Sequence, residues 1–341
     1  MTIAIIGAGA IGGSLAGYLI QSKQDVILID FWPENVEKIN SSGLHFTTPE
    51  KEFYTPAKAI HPGQISSLKD NFDYAILAVK SYDTEWCTQL IKPYLKSNGF
   101  IMSAQNSINE EAIANIVGWS KVVGCILLFG AEMYAAGKIR QTSAYNKLLL
   151  GEPSGLITSR LEQIKNSLTN SGTVNITTNL WGERWAKLAT NSMSNSLAGI
   201  TNLGSSEIRN NPKVRHIMIN IASEVVNVAY NLGVNVEPIG HAPSELFANA
   251  PKNKSAYKKI VRYMTEYSKV VGEGRPSLAQ DLSKGRHIEV DYLNGYVVNK
   301  AIEANVDVPV NTAIVKLAHS IANGTPPGIS NINELLSMTN Y

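Results

Sequence analysis

Three polar side chains, Lys187, Asn191 and Asn195, lie four residues apart among the apolar Trp185, Leu188, Ala189, Met193 and Leu197. On a helix this spacing points all three the same way. An ammonium and two amides are costly to bury without partners, and such a stripe offers a ligand a positive charge and several hydrogen bonds. A polar stripe turned to water has the same spacing, so spacing alone leaves both readings open. A second cluster runs Arg275-Pro276-Ser277-Leu278-Ala279-Gln280-Asp281, then Gly285-Arg286-His287-Ile288-Glu289-Val290-Asp291-Tyr292-Leu293-Asn294-Gly295. Ser277 with Gln280 makes the S-x-x-Q pattern of a capping box. A helix start that carries a hydroxyl is equally a seat for a carboxylate. By itself Glu289 reads as a surface acid paired with Arg286 three residues earlier. His287 has no neighbour that would tune it for catalysis and reads as a surface or core residue.

The third constellation is Gly7-Ala8-Gly9-Ala10-Ile11-Gly12, a G-x-G-x-x-G that follows an apolar strand and opens a helix. Gly7 suits the tight turn, Gly9 leaves room for a diphosphate, and Gly12 lets the helix pack closely. The helix start presents free N–H groups and a partial positive charge to the phosphates. Asp30 ends the next strand, 18 residues after Gly12, where a carboxylate accepts from ribose hydroxyls and repels a 2′-phosphate. Phe31, Trp32 and Pro33 follow, with no arginine to receive that phosphate. NADH is therefore expected over NADPH as the cofactor. Lys80, at the end of another strand, argues the other way unless it is a solvated loop lysine.

These residues need elements to hold them. Thr2–Ile6, Asp25–Asp30, Tyr74–Val79, Phe100–Ala104 and Val122–Phe129 read as strands, and Ala10–Gln21, Pro33–Ser41 and Thr84–Leu95 as helices. Such alternation implies a parallel sheet covered on both faces. Ala131–Pro153 reads as antiparallel strands, Leu156–Ser171 as a helix and Val174–Thr178 as a strand. From Trp181 the pattern is helical, over Val214–Leu232, Ser255–Val271, Asp281–Ala304 and Thr312–Ala322, with Gly324 as a C-cap. The expected class is α/β: a Rossmann dinucleotide-binding domain with a mostly parallel sheet over 1–178, then an all-α substrate domain over 179–341.

The chain has 341 residues, 44% hydrophobic and 17% charged, with a formal charge of +2. This fits two globular domains and gives no reason to expect nucleic acid or an anionic membrane as partner. Cys87 and Cys125 form no C-x-x-C or metal pattern and read as buried, reduced thiols. The apolar start Ile3–Ile6 is too short to span a bilayer, so a cytoplasmic location is expected. The apolar helices of the second half serve either a core or a homodimer interface.

Taken together, GAGAIG at 7–12, AVKSYDT at 78–84, QN at 105–106, KLATNSMSN at 187–195 and SLAQDLSKGRHIEVDYLNG at 277–295 resemble the ketopantoate reductases (2-dehydropantoate 2-reductases) over nearly the whole chain. The resemblance implies NAD(P)H-dependent reduction of a branched 2-keto acid in pantothenate biosynthesis. Lys187 matches the catalytic lysine, which polarises and protonates the carbonyl oxygen. Asn106, Asn191, Asn195 and Ser277 match substrate-binding or nicotinamide-side positions. Lys80 matches a cofactor-binding lysine. Glu289 matches the acid of a motif usually written TEID, here HIEVD, which orients Lys187 or binds the nicotinamide ribose. On one unbroken helix Ser277 and Glu289 would stand about 18 Å apart. The chain departs from its relatives in Asp30-Phe31 where NADPH-using ones carry arginine, in QNS for QNG at 105–107, in Leu278 for methionine, and in Gly274 where some have asparagine. The competing readings are a reductase of another 2-keto acid, a β-hydroxyacid dehydrogenase, and a dinucleotide sensor without catalysis.

Overall fold

The computed structural model describes residues 1–49, 52–68, 71–143, 146–268 and 276–339 and, of Ser277, the backbone alone. The expected helix end at Val271, with Gly274 and Arg275, lies outside the described residues. The chain divides into two compact units, Met1–Leu180 and Trp181–Tyr341.

The first unit begins with β1 (Thr2–Ile6), α1 (Ala10–Gln21), β2 (Asp25–Ile29) and α2 (Pro33–Ser42). β3 (Leu44–Thr47), β4 (Glu52–Thr55), β5 (Lys58–Ile60), β6 (Phe72–Leu77), α3 (Thr84–Ile91), β7 (Leu95–Ser103) and α4 (Glu110–Val117) follow. β8 (Val122–Leu128), β9 (Ala131–Ala135), β10 (Lys138–Gln141), β11 (Lys147–Gly151), α5 (Ser159–Ser167) and β12 (Thr173–Ile176) complete it. Eight strands form one sheet in the order β12-β11-β8-β7-β6-β1-β2-β5. Its pairs are parallel except β8 with β11. The chain leaves β1 toward β2 on one side and returns to β6 on the other, so the strand order reverses at the C-terminal end of β1, where open α/β sheets bind ligands.

Alternate residues of these strands serve two cores. Ile3, Ile5, Leu28, Tyr74 and Ile76 pack on the side of α1. Ala4, Ile6, Ile27, Ile29, Ala75 and Leu77 pack with Cys87, Ile91, Ile113 and Ala114 of α3 and α4. Burying each large aliphatic side chain contributes about 1.5–3 kcal/mol. β3, β4 and β5 were not anticipated by the residue pattern. β3 and β4 join β9 and β10 in a second sheet, ordered β4-β3-β10-β9, whose β9–β10 hairpin is antiparallel as expected. This sheet lies against α1: a Cβ on Gly13 would overlap Ile139, and one on Gly17 would overlap the ring of Phe46. The helix expected over Thr84–Leu95 stops at Ile91, and a 3-10 turn continues through Lys92–Tyr94, because Pro93 has no N–H to continue the helical ladder.

The second unit is helical: α6 (Leu180–Thr201), α7 (Ser205–Asn210), α8 (Pro212–Asn231), α9 (Ser244–Asn249), α10 (Lys254–Ser268), α11 (Ser277–Ser283), α12 (Asn294–Ala304), α13 (Pro309–Ala322) and α14 (Asn333–Met338). α8 runs through its core, with Ile217, Met218, Ile219, Ile221, Val225, Val226 and Val228 all buried. The single helix expected over Asp281–Ala304 is broken. α11 ends at Ser283, Gly285 takes a left-handed φ of +62°, and a 3-10 turn at Val290–Tyr292 precedes α12. Ser277 and Glu289 therefore do not share a helix, and the expected separation along one axis does not apply. Ser277 is the first helical residue of α11, with Pro276 at its N-cap. Among the described residues, no helix is long and apolar enough to cross a membrane, and no group of His, Cys, Asp and Glu could hold a metal ion.

Lys23, exposed just beyond the end of α1, holds a left-handed φ of 59°, and its N–H bonds back to the Ile20 carbonyl. That is the position where helices most often place glycine. Lys23→Gly should raise stability by about 0.5–1 kcal/mol in urea denaturation, since relief of the Cβ clash exceeds the added chain entropy of glycine.

Candidate active site

At the C-terminal end of β1, Gly7 turns with a φ of +91°, and a Cβ there would crowd Val79 at 2.9 Å. Gly9 caps α1 with extended backbone, and Gly13 N–H makes the first helical bond to its carbonyl at 2.8 Å. The N–H groups of Ala10, Ile11 and Gly12 precede that bond and point out of the helix start. A Cβ on Gly12 would overlap the Gly7 carbonyl oxygen, whereas one on Gly9 would meet nothing within 4 Å. Open space beside unbonded N–H groups suits a diphosphate, and the cradle fits a dinucleotide.

Asp30 follows β2 and is 8% exposed. Its Oδ2 accepts from Ala8 N–H at 2.5 Å and its Oδ1 from Trp32 N–H at 3.0 Å. Each carboxylate oxygen keeps a further lone pair for a ribose hydroxyl. Asn35 of α2, which the residue pattern did not single out, completes the hold on the loop. It donates to the Ala8 carbonyl at 3.3 Å and accepts from Gly137 N–H at 2.8 Å. Phe31 packs edge-on against Trp86 with ring centroids 4.8 Å apart, and the Trp86 indole N–H donates to Asp83 at 3.1 Å. Acids and aromatic rings thus occupy the region after β2, where no arginine stands.

Two more loops meet the glycine turn. Lys80 lies after β6, half-buried, at the start of the 3-10 turn Ser81–Asp83. The loop after β7 carries Gln105 and Asn106. Gln105 donates to the Val79 carbonyl at 3.1 Å and to Thr84 Oγ1 at 2.8 Å, and the Asn106 carbonyl accepts from Asn109 at 2.7 Å. Ser107 has a left-handed φ of 68°. The structure therefore brings the glycine loop, Asp30, the Lys80 loop and the Asn106 loop to one edge of the sheet.

In the second unit α6 carries Lys187, Asn191 and Asn195 on one face, as the spacing predicts. Asn191 is 6% exposed and Asn195 9%, which excludes a solvated stripe for the two amides. Lys187 is half-buried, and no carboxylate of the described residues pairs with it. Burial, aided by the nearby Arg184 guanidinium, pushes its ammonium down to about 8. Such a group holds a proton at neutral pH and gives it up readily, as a general acid must. α11 packs on the same helix, where Leu278 covers Gly199 so closely that a Cβ there would overlap it. Glu289 is 6% exposed, Arg286 is exposed, and the two do not pair, so the surface-pair reading of Glu289 fails. No ion pair joins Glu289 to Lys187 either. His287 is exposed.

Residues 3–155 match the family model described as ketopantoate reductase PanE/ApbA, and residues 179–322 match that of its C-terminal part. The 2-dehydropantoate 2-reductase of Aquifex aeolicus (strain VF5) is 28% identical over 324 residues, 93% of this chain and 96% of that protein. Among solved structures, D-mandelate dehydrogenase with NADH and anilino(oxo)acetate superposes with a TM-score of 0.82 at 22% identity, over 95% of this chain and 99% of that one. A PanE/ApbA family ketopantoate reductase from Ralstonia eutropha JMP134 gives 0.79 at 24% identity, over 95% and 99%.

The two glycines separate fold from binding. Gly9→Ala should leave the melting temperature unchanged and weaken dinucleotide binding at least tenfold, read by fluorescence titration, because its methyl enters open space that the diphosphate would fill. Gly12→Ala should lower the melting temperature itself.

Proposed function

The chain belongs to the ketopantoate reductase family, and on that premise we propose that it reduces 2-dehydropantoate to pantoate with NADH as the preferred donor. Lys187 carries the reading: an ammonium set in protein with no carboxylate of the described residues paired to it, tuned to about 8, in line with two buried amides. When bound, the nicotinamide dinucleotide supplies the hydride for the carbonyl carbon. Lys187 donates a hydrogen bond to the carbonyl oxygen and then its proton to the developing alkoxide, which leaves a neutral amine to be reprotonated from water. Asn191 and Asn195, one and two turns along α6, orient the substrate oxygens. Ser277, with Asn106, fixes the substrate carboxylate or hydroxyl. Glu289 binds the nicotinamide ribose or orients Lys187.

The glycine loop, Lys80 and Asp30 hold the dinucleotide, with Asp30 on the adenosine ribose. A second reading keeps this chemistry and changes the keto acid. The likeness to a D-mandelate dehydrogenase favours testing a 2-keto acid with an aromatic side chain beside ketopantoate.

Oxidation of NADH and of NADPH with each keto acid tests substrate and cofactor together. The expected result is turnover of ketopantoate with a higher kcat/KM for NADH; a clear NADPH preference would show that Lys80 outweighs Asp30. Lys187→Ala should lower kcat by roughly 10²–10⁴-fold with the protein still folded, the usual effect of losing a general acid. A near-normal kcat would remove Lys187 from the mechanism.

The pH dependence has a definite sign. Reduction needs the ammonium, so kcat/KM should be flat below about 8 and fall as pH rises above it. Stability moves the opposite way. Between about 8 and the ordinary 10.5 the unfolded lysine still binds a proton that the folded one has released, so the Lys187 contribution to stability rises with pH across that window. Comparison with Lys187→Met in denaturant titrations at several pH values isolates it.

A further inference from the structure

The helix that carries Lys187 has a second polar edge. Ser192 and Ser196 directly follow Asn191 and Asn195, about 100° further round α6. Both are 0% exposed. Ser196 Oγ donates to Asn294 Oδ1 at 2.5 Å. The Asn294 amide gives one hydrogen to the Ser192 carbonyl at 3.3 Å and the other to Asn311 Oδ1 at 2.9 Å. The Asn311 amide continues to Glu224 Oε2 at 2.7 Å and to the Ile221 carbonyl at 3.3 Å. Glu224 closes the chain by accepting the N–H groups of Val310 at 2.9 Å and Asn311 at 2.8 Å, in the first turn of α13. One relay thus ties α6 to α12, α13 and α8, with Asn294 and Asn311 both 0% exposed.

A fully satisfied buried network rigidifies what it joins, because every departure strands a polar group away from water. Rotation of α6 would break the Ser196 and Ser192 links together. We propose that Asn294 is a positioning residue: through Ser196 and the Ser192 carbonyl it sets the rotation of α6 about its axis, and so the aim of Lys187, Asn191 and Asn195. Its kinetic consequence rests on the reductase reading, whereas the relay itself does not. Ser192 supplies a matched control, since its hydroxyl is equally buried on the same edge and has no hydrogen-bond partner.

Ser196→Ala removes one hydroxyl and the link it makes; Ser192→Ala removes one hydroxyl and no link. Each is compared with the wild-type chain in kcat, in KM for the dinucleotide, and in the pH midpoint of Lys187 labelling by trinitrobenzenesulfonate, read by mass spectrometry on the folded protein. Ser196→Ala should lower kcat at least tenfold, leave the dinucleotide KM unchanged, and move the labelling midpoint from about 8 toward 10.5 as α6 turns Lys187 outward. Ser192→Ala should change none of these. Asn294→Ala should repeat the Ser196→Ala pattern, and if it fails to fold the serine pair still decides. Equal labelling midpoints in the two serine variants, or a lower melting temperature for Ser196→Ala with labelling and kcat unmoved, would overturn the proposal. If no 2-keto acid is reduced the reductase reading fails, and the labelling midpoints still judge Asn294.

Discussion

Keeping an ammonium among protein atoms, with no carboxylate of the described residues paired to it, is the constraint around which the second unit is arranged. The cost of taking Lys187 out of water appears as the fall of its pKa to about 8. A carboxylate beside it would remove that cost and with it the ease of proton release. The fold carries the burden elsewhere, through the apolar side chains that α8 buries along its length. It also holds α6 by small-residue contacts, since Gly199 admits Leu278 of α11 at a distance that no larger residue allows.

The first unit treats its buried charge in the opposite way. Asp30 is buried too, but two backbone N–H groups donate to its oxygens. The bond to Ala8 also ties the glycine loop to the end of β2, while Asn35 grips the same residue by its carbonyl. A loop whose open space must stay open cannot be stiffened by its own side chains. The neighbouring elements supply the stiffness: Asp30, Asn35, and the second sheet that presses on α1 at Gly13 and Gly17.

Most of this was legible where the physics is local. β1, β2, β6 and β8 are buried on both faces and read as plain apolar runs. β3 and β5 are only four and three residues long, and β3 finds its β10 partner, His45 opposite Lys138, far along the chain. No short window of sequence carries that pairing. Gly285 looked like one glycine inside a helical pattern, whereas its left-handed φ ends α11 and separates Ser277 from Glu289. The Lys187 stripe was visible as spacing, yet the burial that gives it meaning comes from packing. Asn35 gave no signal, because its partners Ala8 and Gly137 stand 27 and 102 residues away.

Cofactor preference, on the proposed reading, becomes a contest between fixed charges. With Asp30 tied to the backbone at both oxygens, its charge cannot swing away from an arriving phosphate. At an effective dielectric of 20, two unit charges 4 Å apart interact by about 4 kcal/mol, enough to cover roughly a thousandfold in affinity. Lys80 offers an opposing attraction from the end of β6, on the far side of β1, but a lysine on a flexible stem can follow the phosphate, or leave it, in a way Asp30 cannot. Phe31 and Trp86 add a surface suited to an adenine ring and offer nothing to a phosphate. The asymmetry favours NADH: the repulsive charge is immobile and tied to the loop that must hold the diphosphate, so it cannot be relaxed without loosening that loop.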